Sequence, residues 1–268
     1  MTSRQKRISP AVGSFAGLGV LVVVLPILAL LVRVPWTTLA AELSSPESVL
    51  ALRVSLVTSL AAAMFSVALG VPVAWLLARG PQSVTALIRP VVMAPIVLPP
   101  TVAGLSLLAL LGRNGVLGRF IYDATGYAMP FTMIAVILAG VFVGMPFLIM
   151  VLETAFVQLD PEIEQAAETD GAHAGQIFWQ VSVPQVRHAL GTGAALAWAR
   201  ALGEFGATLT FAGSFPGVTR TLPQQVYVAL ESNLSNAYAL SGLLLVISIV
   251  MMAILRGNLR NPFVTPQA

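Results

Sequence analysis

Long apolar runs separated by short polar segments dominate the chain. A helix needs about 20 apolar residues to cross a hydrocarbon core roughly 30 Å thick. Six runs approach or exceed that length: residues 12–32, 52–77, 85–111, 132–156, 189–212 and 239–255. The pattern therefore predicts an all-α, polytopic membrane protein with about six transmembrane helices.

Composition agrees with a membrane class and excludes several others. Of the 268 residues, 57% are hydrophobic and only 9% are charged, whereas a soluble domain carries roughly a quarter charged residues. The basic residues lie at the ends of apolar runs and form no nucleic-acid patch. Cysteine is absent, which excludes disulfides, thiolate metal sites and cysteine nucleophiles. The first run follows basic residues as a signal peptide does, but it is long and lacks a small-residue cleavage site, which favours an uncleaved helix.

The distribution of positive charge predicts the orientation. With the N-terminus in the cytoplasm, eight basic residues lie inside: Arg4, Lys6, Arg7, Arg79, Arg89, Arg187, Arg256 and Arg260. Five lie outside: Arg33, Arg53, Arg113, Arg119 and Arg220. The positive-inside rule thus favours cytoplasmic N- and C-termini in a cell membrane.

Prolines interrupt the third run. Pro90, Pro95, Pro99 and Pro100 each lack a backbone donor and clash with the preceding turn, so a kink or break is expected. A packing kink and a break that lines a pore both fit this pattern. On the second interpretation, Pro99 and Pro100 are candidates for the translocation path.

A loop at about residues 157–187 contains five of the chain's eleven acidic side chains: Asp160, Glu162, Glu164, Glu168 and Asp170. Asp160 suits a helix N-cap, Pro161 suits the first helical position, and Glu162 favours the positive end of the helix dipole. Gly171 suits the left-handed residue that closes a helix. A second short helix is expected from Ala172 to about residue 180, ending before Pro184. The pair forms a knob that fits a cleft on another protein; the alternative is a solvated acidic loop.

Within this loop, Gln165-Ala166-Ala167, followed by Gly171 and later Pro184, resembles the EAA loop of ABC-importer permeases. In that family the loop docks on the ATPase subunit. Gln165 departs from the motif's leading Glu, although Glu164 stands beside it. The resemblance implies an ATPase-coupling loop made of Glu164, Gln165, Ala166, Ala167, Glu168, Asp170, Gly171, Ala172 and Pro184.

The fifth run contains two charges, Arg200 and Glu204, placed four residues apart on one predicted helical face. Each charge costs at least roughly 2.5–3.5 kcal/mol inside a bilayer, so both should face the bundle interior or a water path. The structural interpretation is a neutralised ion pair. The functional one places Arg200 near the path of an anion, with Glu204 restraining it. Thr208 is a further path candidate, although bonding a helical carbonyl is the commoner role of a threonine there.

The segment 200–213 resembles the helix-five signature of oxyanion permeases for molybdate and sulfate. Residues 94–104 and 111–118 are most similar to the molybdate branch, and residues 219–223 are similar to its external loop. The resemblance implies a type I ABC-importer permease fold and molybdate transport. Sulfate or thiosulfate is the alternative, and tungstate has nearly the same charge and size as molybdate.

The resemblance also implies a homodimer, two cytoplasmic ATPase subunits and an extracytoplasmic molybdate-binding protein. ATP is then expected on the partner subunit and no cofactor, metal or catalytic residue in this chain. No Gly-rich phosphate loop with a following Lys is present, since the one lysine is Lys6. An intramembrane hydrolase is disfavoured because both histidines, His173 and His188, lie in or beside the loop. A self-contained channel or secondary transporter needs no docking knob.

Three segments are expected: residues 1–49, with the tail, first helix and an external polar link; residues 50–256, the transmembrane domain with its coupling loop; and a short cytoplasmic tail at 257–268.

Overall fold

A computed structural model describes residues 9–259, apart from the side chains of residue 10 and residues 255–259. The described residues contain helices and no strand, which confirms the all-α prediction. The helices are α1 (Pro10–Arg33), α2 (Leu39–Leu43), α3 (Pro46–Arg79), α4 (Gln82–Val97), α5 (Pro100–Leu111), α6 (Gly118–Thr125), α7 (Met133–Val157), α8 (Pro161–Thr169), α9 (Ala174–Gln176), a π-helical turn (Ile177–Ser182), α10 (Val183–Gln185), α11 (Arg187–Leu202), α12 (Gly206–Ala212), α13 (Leu222–Ser232) and α14 (Leu234–Leu259).

Within the described range, four helices are long and apolar enough to cross a membrane: α1, α3, α7 and α14. The other two predicted runs are each divided between two shorter helices, α4 with α5 and α11 with α12. The break in the third run confirms the expectation from its prolines. The expectation of a continuous fifth helix is wrong, because α11 ends at Leu202 and the chain resumes helical structure only at Gly206.

Helices α3, α7 and α11 form the centre of the bundle, where small residues bring their backbones together. A Cβ atom added at Gly140 would lie 2.8 Å from the Cβ of Ala62, and one added at Gly144 would lie 2.8 Å from the carbonyl oxygen of Ala197. Close approach through small residues is how helices gain packing energy in lipid. By contrast, the apolar window of α1 is not buried against the rest of the chain.

The connections at the end of the bundle away from the 157–187 loop contain more helix than expected. The link after α1 includes the short helix α2, and α3 begins at Pro46, where the Oγ of Ser45 accepts a bond from Ser48 N at 3.3 Å. Helix α13 has no counterpart among the predicted runs. Its first residue, Leu222, donates its N–H to Ser55 Oγ at 2.6 Å. At the start of α14, Asn236 donates to Ser48 Oγ at 2.9 Å, so the α13–α14 turn lies beside the N-terminal end of α3.

Candidate coupling loop and translocation path

The first half of the coupling loop folds as the sequence predicts. Asp160 Oδ1 accepts a hydrogen bond from Glu162 N at 3.0 Å, and Pro161 is the first helical residue of α8. After the helix ends, Gly171 adopts a φ of 89°, in the left-handed region that only glycine enters without strain. The Gly171 corner is therefore built into the backbone.

The second half of the loop differs from the expectation. Its helix begins at Ala174 and not at Ala172, because the side chain of His173 caps it: Gln176 N donates to His173 Nδ1 at 3.3 Å. The helix also does not end before Pro184, but continues as a π-helical turn and then as α10. Pro184 is tolerated because it lies in the first turn of α10, where a missing N–H costs little.

Glu164 joins three elements at the base of the loop. One carboxylate oxygen pairs with Arg79 Nε at 2.8 Å, and the other accepts the Ser182 hydroxyl at 2.8 Å. Arg79, at the last turn of α3, also donates to the carbonyl of Leu159 at 3.3 Å. The two charged side chains are only 20% and 13% exposed. Sequence reasoning named Glu164 but missed Arg79, whose position at a helix end signalled topology alone.

The other predicted coupling residues lie mostly on the surface. The exposed ones are Gln165, Ala166, Glu168, Asp170, Gly171 and Pro184, whereas Ala167 and Ala172 are half-buried. A groove of ≈ 380 Å³ separates α8 from the end of α3, and Trp75 lines it together with Gln165 and Glu168. The loop thus presents Ala166 and Gly171 outward among polar and acidic side chains, while Glu164 attaches it to the bundle.

The two helix breaks meet at one junction, where Pro99, Pro100 and Gly203 are exposed in the single chain. A Cβ added at Gly206, the first residue of α12, would lie 2.6 Å from the Cβ of Pro100 at the start of α5. One added at Gly104 would lie 2.7 Å from the carbonyl oxygen of Ala207. Helices α5 and α12 therefore pack closely from their first turns. Of the predicted path residues, Pro99 and Pro100 lie at this junction.

Arg200 and Glu204 form an ion pair at the same junction, with Arg200 Nη1 and Glu204 Oε2 2.5 Å apart. The expectation that both residues lie on one helical face is wrong, because Glu204 follows the end of α11 at Leu202. Its second oxygen accepts Ala207 N at 2.7 Å, so the carboxylate satisfies a donor in the first turn of α12. Glu204 is 2% exposed and Arg200 is 31% exposed. The structural interpretation of the pair is therefore well supported.

The two threonines of α12 differ in their surroundings. Thr208 is buried. Thr210 donates to the carbonyl of Gly206 at 2.9 Å, which is the carbonyl-bonding role expected of threonines in this segment. Among the described residues, no group of three or more His, Asp or Glu side chains is arranged to hold a metal ion.

The segment between α12 and α13 carries a charge that the sequence analysis assigned only to topology. Arg220 Nε donates to Ser214 Oγ at 3.1 Å, and its Nη2 donates to the carbonyl of Ser214 at 3.2 Å. Its Nη1 lies 3.4 Å from Gln225 Oε1. The guanidinium is half-buried, and these partners are all neutral.

Comparison with known families identifies the class. Residues 70–260 match the family described as "Binding-protein-dependent transport system inner membrane component". The chain belongs to this family. It is thus a multi-pass membrane component of a transport system and not an enzyme, and the resemblance drawn from the EAA-like loop is confirmed.

Individual relatives agree. "Molybdenum transport system permease protein ModB" of Mycobacterium tuberculosis (strain ATCC 25618 / H37Rv) is 41% identical, with 87% of this chain and 88% of that protein covered. The ModB of Escherichia coli (strain K12) is 35% identical, with 76% and 90% covered. A "Probable sulfate transport system permease protein cysT" of Chlorokybus atmophyticus is 32% identical, with 85% and 81% covered.

Solved structures confirm the ABC-importer permease fold. A bacterial ABC transporter for import of the acidic polysaccharide alginate gives a TM-score of 0.67 at 13% identity, covering 88% of this chain and 89% of that one. The MetNI methionine ABC transporter, in an inward-facing conformation, gives 0.58 at 17% identity, covering 87% and 98%.

Proposed function

We propose that this chain is the permease subunit of an ATP-driven importer that carries molybdate across the cytoplasmic membrane. The observation that supports this most is the 41% identity to a molybdenum permease over 87% of the chain, against 32% for the sulfate permease. Sulfate or thiosulfate is therefore the less favoured substrate. Tungstate, which has the same charge and nearly the same size, is expected to compete.

The proposed assembly contains two copies of this chain, two ATPase subunits that bind ATP, and an extracytoplasmic binding protein. The exposed small residues of the coupling loop support docking on an ATPase, and this contact requires the loop to lie in the cytoplasm. That placement agrees with cytoplasmic termini, which the positive-inside count also favours. Four of the basic residues in that count, Arg4, Lys6, Arg7 and Arg260, lie outside the described residues. The proposed transmembrane domain is residues 50–256, with the coupling loop at 157–187 and a cytoplasmic tail at 257–268.

In the proposed mechanism, ATP closes the ATPase pair and moves the Gly171 corner. The movement reaches α3 through the Glu164–Arg79 pair, and it reaches α7 and α11 directly along the chain. Since α7 packs on both α3 and α11, a displacement of the loop would also move the junction of the two helix breaks. Opening of the path is proposed to occur at that junction, near Pro99, Pro100 and the Arg200–Glu204 pair.

Uptake of labelled molybdate tests the substrate. Cells that lack this chain are compared with the same cells after the wild-type chain is restored, with tungstate or excess sulfate as competitor. We expect restored uptake that tungstate blocks and sulfate does not. Equal competition by sulfate, or no restored uptake, would refute molybdate as the substrate.

Single-cysteine crosslinking tests the docking separately. Because the chain contains no cysteine, Gly171→Cys introduces a unique reactive site on the coupling loop. We expect it to crosslink to the ATPase subunit of the assembled transporter. A cysteine at the exposed Glu231, on the outer helix α13, should not crosslink and is the matched control. Failure of crosslinking at every position of the coupling loop would contradict the proposed docking.

A further inference from the structure

Nine arginines have described side chains, and eight of them either pair with a carboxylate or are exposed. Four pair with a carboxylate: Arg79, Arg89, Arg119 and Arg200. Most of the others have no carboxylate partner and are exposed to solvent or lipid headgroups: Arg33, Arg53, Arg113 and Arg187. Arg220 is the exception, because it is half-buried and contacts only neutral oxygens.

The surroundings hold the guanidinium of Arg220 without neutralising it. Ser214 and Gln225 each offer dipoles that orient the group, but neither carries charge. Beside it in the chain, Thr221 is 5% exposed and forms a capping box with Gln224 at the start of α13, which fixes the backbone next to Arg220. Among the described residues no carboxylate pairs with the half-buried guanidinium, so its charge is left without a counter-ion.

The location connects this group to the junction of the helix breaks. Helix α12 runs from the junction for seven residues, which is about 10 Å, before the Ser214–Arg220 segment begins. Helix α13 follows, and its Tyr227 ring lies 5.4 Å from the ring of Phe205 in the break itself. The N–H of Leu222 bonds Ser55, nine residues along α3 from Pro46, which is about 14 Å from that end of the helix.

We propose that Arg220 binds the transported tetrahedral dianion in the outer half of the path. Arginine donates paired hydrogen bonds to oxyanions, and the orienting contacts of Ser214 and Gln225 hold the guanidinium in place. Arg200 is the poorer candidate, because Glu204 already neutralises it at 2.5 Å. This assignment rests on the proposed function, since it takes the oxyanion as cargo.

The test uses the complete transporter in proteoliposomes, with its ATPase and loaded binding protein. Initial rates of labelled molybdate uptake and of ATP hydrolysis are measured for wild type, Arg220→Gln and Arg220→Lys. We expect Arg220→Gln to lower uptake by about 10- to 100-fold, the range for loss of a hydrogen bond to a charged group, while stimulated ATP hydrolysis falls much less. Arg220→Lys should recover part of the uptake. Arg53→Gln, which removes an exposed arginine from α3, is the control and should transport as wild type does.

The outcomes separate this inference from the proposed function. If the Arg220→Gln transporter takes up molybdate at the wild-type rate, the proposal that Arg220 binds the dianion is overturned. Equal loss of uptake and stimulated hydrolysis in an assembled complex would also overturn it, because it would indicate a structural role or a carboxylate partner on the binding protein. A wild-type complex that imports sulfate in place of molybdate would refute the substrate, and the same variants would then be compared with sulfate. A wild-type complex that imports neither dianion would overturn both proposals.

Discussion

Replacement of Glu164 by Gln isolates the attachment of the coupling loop to α3. The amide keeps the size of the side chain and still accepts the Ser182 hydroxyl, but it leaves Arg79 with only the neutral carbonyl of Leu159. Hydrogen bonds to charged groups contribute about 1.5–3 kcal/mol and neutral ones about 0.5–1.5 kcal/mol. Because both charged side chains are largely buried, the substitution should cost about 1–2 kcal/mol. That cost weakens the attachment of α8 by a factor of about 5–30.

The consequence is measured as the amount of anion imported per ATP hydrolysed by the transporter in proteoliposomes. A loosely attached α8 should let the ATPase cycle without moving the helices, so Glu164→Gln is expected to lower this ratio. Glu162→Gln is the matched control, because Glu162 is exposed on the same helix and interacts mainly with the helix dipole, worth about 0.3–1 kcal/mol.

Exchange of the two charges, Arg79→Glu with Glu164→Arg, should recover part of the lost coupling if the direct ion pair matters. The reasoning fails if Glu164→Gln imports as much anion per ATP as wild type. It also fails if Glu162→Gln lowers the ratio to the same extent.

Three further substitutions test the junction and the loop. Gly206→Ala places a Cβ within 2.6 Å of the Cβ of Pro100 and should destabilise the purified complex by about 1–3 kcal/mol in thermal unfolding. The control Gly203→Ala places a Cβ 3.5 Å from a carbonyl oxygen and should be nearly neutral, so equal stabilities would refute the close packing. Gly171→Ala should destabilise the corner of the coupling loop by about 1 kcal/mol, because alanine is strained at a φ of 89°, and Gly171→Asn should destabilise it less. Both variants should lower the stimulated rate of ATP hydrolysis, and an unchanged rate in Gly171→Ala would contradict the need for glycine there. Glu204→Gln removes the buried carboxylate that pairs with the half-buried Arg200 and should lower the free energy of unfolding by about 2 kcal/mol, against about 0–1 kcal/mol for Asp123→Asn in an exposed pair. Similar losses of folded protein in the two variants would refute this difference.

The two helix breaks show what the sequence reveals and what it does not. The break before Pro100 is predictable, because consecutive prolines remove two backbone donors whatever the surroundings. The break after Leu202 contains no proline. Locally, the Glu204 carboxylate accepts the N–H of Ala207 in the first turn of α12, and the one tertiary contribution is that Gly206 permits the close approach of Pro100. Glycines at 203 and 206, on either side of Glu204, are consistent with a helix break, but small residues are equally common where continuous helices pack closely.

Position along the chain explains why the sequence analysis placed Arg220 outside and Arg79 inside and predicted no partner for either. Both lie at ends of apolar runs, where arginine commonly interacts with headgroups and sets topology. Whether a helix-end arginine has a partner depends on segments that are far away in sequence: Glu164 lies 85 residues from Arg79. The local pattern predicts where the charge lies across the membrane, but not what it contacts.

The ion pairs that join separate helices are concentrated at the coupling end of the bundle. Arg79 joins α3 to Glu164 of α8, and Arg89 joins α4 to Glu153 of α7. At the opposite end, the contacts between helices include neutral hydrogen bonds such as that from Leu222 to Ser55. A neutral bond exchanges for another at little cost, whereas separating an ion pair strands a charge. We therefore expect a push on the coupling loop to leave its attachments intact and to be relieved by rearrangement near α13, where Arg220 lies.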